Sequence, residues 1–187
     1  MPSPKGPPEL KHLDHILVSP LAIKRRIAQL GSQLNQDYAK KDLMVVAIVN
    51  GALIFTADLL RQMRSPLRLD CLRASSYHTG TRAVGEPRIV DQMKLDVKGQ
   101  HVLLVDDILD TGKTLAAVAG LIKAKGAASV KTCVLLDKKA RRAVPFEADY
   151  VGFGIPNEFV VGYGLDFNER YRNLPCIGVL KPKFYGG

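Results

Sequence analysis

Long apolar runs, paired cysteines and an acidic excess are all missing from this 187-residue chain. No stretch of about 18 apolar residues occurs, so no membrane span is expected. The three cysteines, Cys71, Cys133 and Cys176, show no CxxC spacing and lie among apolar neighbours, which argues against a disulfide framework or a zinc site. Each is expected to be a buried small hydrophobe. His12, His15, His78 and His101 show no ligand spacing either and read as surface or capping residues. The opening Met-Pro-Ser-Pro-Lys-Gly-Pro-Pro lacks the apolar segment of a secretory signal, and residues 1–12 are expected to form a disordered lead-in. Beyond that Pro-rich start there is no internal repeat or low-complexity tract.

What is present suits one domain over residues 13–187, since 47% of the residues are hydrophobic and the length allows a substantial core. Lys plus Arg exceed Asp plus Glu by 27 to 18, giving a formal charge of +9 that favours anionic partners. The basic residues are scattered rather than gathered into one run. Neither a nucleic acid nor a membrane is therefore the expected partner, and phosphorylated small molecules suit the balance.

Ser19-Pro20 is a helix start, a capping hydroxyl followed by proline, and Ile23, Ile27, Leu30 and Leu34 mark one apolar stripe after it. Leu43 to Val49 is a fully apolar strand ended by Asn50-Gly51, and Ile54, Ala57, Asp58 and Leu59 suggest a helix behind it. Leu67, Leu69 and Cys71 alternate as a further strand. A helix after Thr114 stops at Gly126, and Val130 to Leu136 supplies another strand. Residues 151–182 read as Gly-punctuated short strands. Alternating strands and helices of this kind predict an α/β fold around a mostly parallel sheet. Asn50-Gly51, the pair Asp106-Asp107, and Lys138 each end a predicted strand, so three connections should meet on one rim. Residues 77–90 are Gly-rich and polar. They suit either a lid that excludes water or a plain loop.

The most specific segment is Val-Leu-Leu-Val-Asp-Asp-Ile-Leu-Asp-Thr-Gly-Lys-Thr, residues 102–114. A buried strand leads through two carboxylates into a small-residue turn, and Leu115, Val118, Ala119 and Ile122 then recur at helical spacing. Unpaired N–H groups at a helix start carry partial positive charge and suit a phosphomonoester; Thr111 and Thr114 can add hydroxyl donors. A nucleoside-triphosphate loop is excluded, because that pattern needs glycine where Asp107 stands. Two carboxylates beside a phosphate fit only if they face ribose hydroxyls or a hard cation such as Mg²⁺, which is usually held by one or two carboxylates plus substrate phosphates.

This run resembles the phosphoribosyl pyrophosphate motif of the type I phosphoribosyltransferases. Ser76-Tyr77, Leu135 to Lys138, Asp149 to Phe153 and Phe159 to Asp166 are similar, in order, to segments of the bacterial hypoxanthine enzymes of that family. The resemblance spans about Leu13 to Pro182. It implies the type I fold, with a small hood formed by the terminal segments, and transfer of a phosphoribosyl group to hypoxanthine or guanine in purine salvage, in the cytoplasm, by a homodimer or homotetramer.

The resemblance also implies residue roles. Asp106 and Asp107 would grip the ribose and Mg²⁺, and Asp110, Thr111, Gly112, Lys113 and Thr114 would bind the 5′-phosphate. The backbone of Asn50-Gly51 and the Arg172 side chain would contact pyrophosphate, Asp166 would help hold a second Mg²⁺ near the purine, and Ser76-Tyr77 would begin the lid. Phe159 would stack on the purine, Val160 would offer backbone hydrogen bonds, and Lys138 would donate to the exocyclic oxygen. Asp110 would exchange a proton with the ring, although an N-cap aspartate is an equally ordinary reading of it. Asn50 departs from the family pattern, in which many relatives carry Lys. An RNA-binding regulatory member of the same fold is the alternative function.

Overall fold

The computed structural model describes residues 7–75 and 93–186, with three two-residue strands at 78–79, 82–83 and 88–89 between them. Strand β1 (Leu13–Val18) leads into helix α1 (Pro20–Asp37), capped where expected: the Ser19 hydroxyl accepts a hydrogen bond from the Ala22 N–H at 3.2 Å. Ile23, Ile27, Leu30 and Leu34 are all buried. The chain continues through β2 (Leu43–Val49), α2 (Leu53–Leu60) and β3 (Leu67–Ser75) to the short strands β4 (His78–Thr79), β5 (Arg82–Ala83) and β6 (Arg88–Ile89). It then forms β7 (His101–Leu109), α3 (Lys113–Ala124), β8 (Ser129–Asp137), β9 (Tyr150–Gly154), β10 (Val160–Val161) and β11 (Ile177–Leu180).

The main sheet runs β6-β3-β2-β7-β8-β9, parallel except for the short edge strand β6. Its central strands are apolar on both faces because helices cover both. Val45, Leu103, Val105 and Leu135 pack with Phe55, Leu59 and the stripe of α1, whereas Met44, Val46, Val102 and Leu104 pack with Leu115, Val118 and Ile122 of α3. Leu104 is fully buried, so truncating it to alanine costs about 2–5 kcal/mol. The outer edge of β9 is tied down by α1, whose Arg26 guanidinium donates to the carbonyls of Val151 at 2.7 Å and Gly152 at 2.9 Å. Buried Asp70 on β3 accepts from the N–H groups of Lys94 and Leu95, fixing the chain where it returns towards β7.

A smaller antiparallel sheet, β1-β11-β10, brings the first strand against the last, with Leu13 opposite Leu180 and Val160 opposite Val179. Two expectations need correction. Pro8–His12, within the stretch read as a disordered lead-in, form a 3-10 turn: Pro8 presets its first position, and His12 stacks on Phe184 with ring centroids 4.2 Å apart. Cys71 is exposed, because alternation along β3 says which residues share a face but not which face is covered; Cys133 and Cys176 are buried. Burial pushes the Cys133 thiol up to about 12, so it is inert as a nucleophile.

Candidate active site

β2 and β7 are neighbours, yet the chain leaves them in opposite directions, through α2 to β3 on one side and through α3 to β8 on the other. Such a switch point is where open α/β sheets leave a crevice for ligands. The β2–β7 ladder ends at Ala47–Val105, whereas β7 stays paired with β8 as far as Leu109–Asp137. Beyond Val105 the two strands part. A cleft of about 700 Å³ opens there, lined by Asn50, Gly51, Asp106, Asp107, Asp110, Thr111, Gly112 and Thr114, and also by Lys138, Phe159, Val160, Asp166 and Arg172. Of the residues expected at the site, Lys113 is exposed and does not line the cleft. Ser76 and Tyr77 lie outside the described residues.

The phosphate turn is left open. The residue capping α3 is Gly112, at φ +82°, so no side chain caps this helix, and the Thr111 hydroxyl reaches the Lys113 N–H only at 3.5 Å. α1 has its first turn capped by Ser19, whereas the leading N–H groups of α3 remain available to an anion. Any side chain at position 112 would be strained by the left-handed backbone, and a Cβ there would also meet the Arg142 side chain at 3.1 Å. Asp110 is therefore not the N-cap. Its Oδ1 is buried without a hydrogen-bond partner among the described residues, 3.4 Å from Nε of Arg141.

The turn is braced from behind by Arg142, whose guanidinium donates to the carbonyls of Leu109 and Asp110 and pairs with the buried Asp137 carboxylate. Asp106 and Asp107 accept from the N–H groups of Asp107 (3.0 Å) and Ile108 (2.8 Å) respectively, which orients but does not neutralise them. Burial first, and then the neighbouring Asp107 carboxylate, hold Asp106 well above the ordinary carboxylate range; burial raises Asp107 too. A pair so placed gains from a cation or from hydroxyl donors. Among the described residues no three acidic, His or Cys side chains gather as a metal cage, so a cation here would complete its shell with ligand oxygens.

Backbone meets carboxylate closely at Gly51, where a Cβ would fall 1.9 Å from Oδ2 of Asp107. Gly164, at φ +104°, packs as tightly on the other side, its missing Cβ 2.1 Å from the Gly51 carbonyl. The Val49–Asn50 peptide is cis. Arg172 donates to the Gly164 carbonyl at 2.8 Å and pairs with Asp166 (2.9 Å) and Glu169 (2.8 Å). The segment carrying Asp166 is thereby clamped over the Asn50-Gly51 turn.

Across the cleft, Lys138 is buried and donates from Nζ to the Glu158 carbonyl at 2.8 Å, leaving further hydrogens for a ligand. Burial lowers its pKa, partly offset by Asp110. The Phe159 carbonyl accepts from Leu180 of β11, so by strand alternation the Val160 N–H and carbonyl point away from β11, at the free edge of the smaller sheet. Phe159 itself is held by Tyr185, with centroids 4.6 Å apart, and by the edge of Phe167 at 5.6 Å. Sequence reasoning missed Arg73, Arg141, Phe167 and Glu169, which also line the cleft. The basic run Lys138-Lys139-Ala140-Arg141-Arg142 at a strand's carboxyl end was a usable signal for Arg141.

The phosphoribosyl transferase domain model matches residues 15–168. The chain is 48% identical over 170 residues to the hypoxanthine-guanine phosphoribosyltransferase of Streptococcus pneumoniae, covering 91% of this chain and 94% of that one. It is 46% identical over 173 residues to the bifunctional protein TilS/HprT of Listeria innocua, of whose length it spans 27%. The crystal structure of a hypoxanthine phosphoribosyltransferase from Staphylococcus aureus superimposes with a TM-score of 0.90 at 41% identity, over 95% of this chain and 97% of that chain. With the switch-point cleft, the uncapped α3 and the paired carboxylates, these matches make the chain a member of the phosphoribosyltransferase family, in its hypoxanthine(-guanine) branch.

Proposed function

We propose that this protein transfers the phosphoribosyl group of 5-phosphoribosyl 1-pyrophosphate to hypoxanthine and guanine, forming IMP or GMP and pyrophosphate, with Mg²⁺ required. The observation that carries this reading is the single cleft in which the uncapped start of α3 and the Asp106-Asp107 pair face Lys138 and Val160. In this reading residues 13–187 work as one domain, the smaller sheet acting as a hood over the base.

The 5′-phosphate binds the free N–H groups of Lys113, Thr114 and Leu115, and the Thr111 and Thr114 hydroxyls. Asp106 and Asp107 accept from the ribose diol. The bond from the anomeric carbon to pyrophosphate breaks with its electron pair leaving on pyrophosphate, and a purine ring nitrogen forms the new bond. Positive charge grows on the sugar meanwhile, and the two carboxylates stabilise it. Asp110 takes the proton released at the imidazole edge. The Asn50-Gly51 backbone and Arg172 hold the departing pyrophosphate. Asp106, Asp107 and Asp166 would hold Mg²⁺, which when bound neutralises pyrophosphate charge.

Base choice follows from donor chemistry. The Lys138 ammonium donates and cannot accept, so it suits the exocyclic oxygen of a 6-oxopurine and not the amino group of adenine, a mismatch worth about 1–3 kcal/mol. Phe159 stacks on the ring, and Val160 pairs with its edge through the backbone. Steady-state assays of hypoxanthine, guanine, xanthine, adenine and uracil with the sugar pyrophosphate and Mg²⁺ test the reading. Nucleotide should form from the first two and poorly from adenine. No nucleotide from any base, together with RNA binding of steep salt dependence, would overturn it in favour of a regulatory RNA-binding member of the fold. A cytoplasmic homodimer or homotetramer belongs to the same proposal, and light scattering checks the assembly. Among the described residues no helix is long and apolar enough to cross a membrane.

A further inference from the structure

The leaving group of the proposed reaction is a polyanion, and the turn expected to receive it, Asn50-Gly51, brings no charge of its own. We infer that Arg73 supplies that charge, as the cation that grips the pyrophosphate moiety from the β3 side of the cleft. The inference rests on the phosphoribosyl-transfer reading of this cleft.

Four basic side chains line the cleft among the described residues: Arg73, Lys138, Arg141 and Arg172. The other three also contact protein groups. Lys138 donates to the Glu158 carbonyl, Arg141 faces the Asp110 carboxylate at 3.4 Å, and Arg172 is engaged by Asp166, Glu169 and the Gly164 carbonyl. Arg73 is exposed and stands on a different wall. In the parallel β2–β3 ladder its register partner is Val49, the residue just before Asn50-Gly51. Neighbouring strands lie about 4.8 Å apart, so a guanidinium from position 73 spans the gap to an anion seated on that turn. Ile48 to Gly51, Arg73 and Ala74 bring no acidic side chain of their own to the cleft, although the Asp107 carboxylate reaches Gly51 from β7; Asp106, Asp110, Asp166 and Glu169 line other parts of it. Arg73 is thus the basic side chain that lines the cleft from β3, beside the turn expected to receive the leaving group and opposite the Asp107 carboxylate that would otherwise repel it. The guanidinium fork also matches phosphate oxygens two at a time.

The test is Arg73→Gln, read by calorimetric titration with Mg²⁺-pyrophosphate and by Michaelis constants for the sugar pyrophosphate and for hypoxanthine. A lost charge-assisted contact predicts pyrophosphate affinity weaker by about 10- to 100-fold, a comparable rise in KM for the sugar pyrophosphate, and no change in KM for hypoxanthine. Adding Asn50→Lys to the Arg73→Gln protein should restore most of the affinity by returning a cation to the adjacent strand end. Pyrophosphate binding equal to that of the parent protein overturns the inference, as does an equal rise in both Michaelis constants. Because the titration needs no turnover, a parent protein that makes no nucleotide yet loses pyrophosphate affinity on Arg73→Gln sinks the transferase reading and leaves the anion site standing.

Discussion

The Arg142 guanidinium pairs with the Asp137 carboxylate at the carboxyl end of β8, and its other arm holds the carbonyls of Leu109 and Asp110. Both side chains are nearly dry, at 12% and 4% exposure. Removing one partner leaves the other charge buried and unpaired, so Arg142→Met should lower unfolding free energy by about 3–5 kcal/mol. Urea unfolding measures this. Asp137→Leu added to Arg142→Met should recover part of the loss, since an apolar pair strands no charge. Identical midpoints for the parent and the single variant would show that the brace is idle.

Asp110 sits on the turn that Arg142 braces, with its buried Oδ1 free of hydrogen bonds among the described residues. A carboxylate that does not cap α3, and whose Oδ1 has the Arg141 ion pair at 3.4 Å but no hydrogen bond among those residues, is positioned for a ligand proton. Asp110→Asn keeps the shape and removes the basicity, so turnover should fall by about two to four orders of magnitude while sugar-pyrophosphate binding persists. Single-turnover kinetics with a parallel binding titration separates the two effects. An unchanged chemical step would remove Asp110 from the proton transfer.

Much of this was legible in residue order alone, for physical reasons. Leu43 to Val49 is a strand with those limits because a run apolar at every position fits only a strand covered on both faces. The turn from Asp106 to Thr114 was legible because carboxylates, small residues and a helical stripe follow one another locally. Capping of α3 was not, since Asp110, Thr111 and Gly112 could each have served, and the side chains of Arg142, Val144 and Phe146, which leave a Cβ at Gly112 little room, come from a distant turn. Arg73 escaped notice for a similar reason: its place beside Asn50 comes from the register of two strands, and the sequence does not print a register.

Lys138 gives a pH dependence of defined sign. Burial lowers its folded pKa below that of a free lysine, so the unfolded chain binds the proton more tightly, and stability from this group rises with pH from the lowered value to the ordinary lysine range. Base selection should move the other way. Once the ammonium loses its proton, the amine carries a lone pair that can accept from the adenine amino group. The ratio of kcat/KM for hypoxanthine to that for adenine should therefore shrink at alkaline pH, earlier than a solvent-exposed lysine would titrate. Lys138→Arg should remove that alkaline limb, because guanidinium keeps its charge. A ratio independent of pH up to the free-lysine range would break the link between Lys138 and the exocyclic oxygen.

Tyr185 covers Phe159 from behind, its ring tilted 31° at 4.6 Å, and it does not itself line the cleft. With Phe167 against the ring edge, Phe159 is held with one face towards the cleft. A stacking platform binds a planar base best when its own rotamer is fixed in advance, and an aromatic pair contributes about 0.5–1.5 kcal/mol beyond area burial. Tyr185→Ala should therefore raise KM for hypoxanthine by about 2- to 10-fold, with KM for the sugar pyrophosphate unchanged. Tyr185→Phe, which keeps the ring and drops only the hydroxyl, should restore the parent value. If Tyr185→Ala moved both Michaelis constants together, the C-terminal segment would be supporting the whole cleft rather than orienting the base platform.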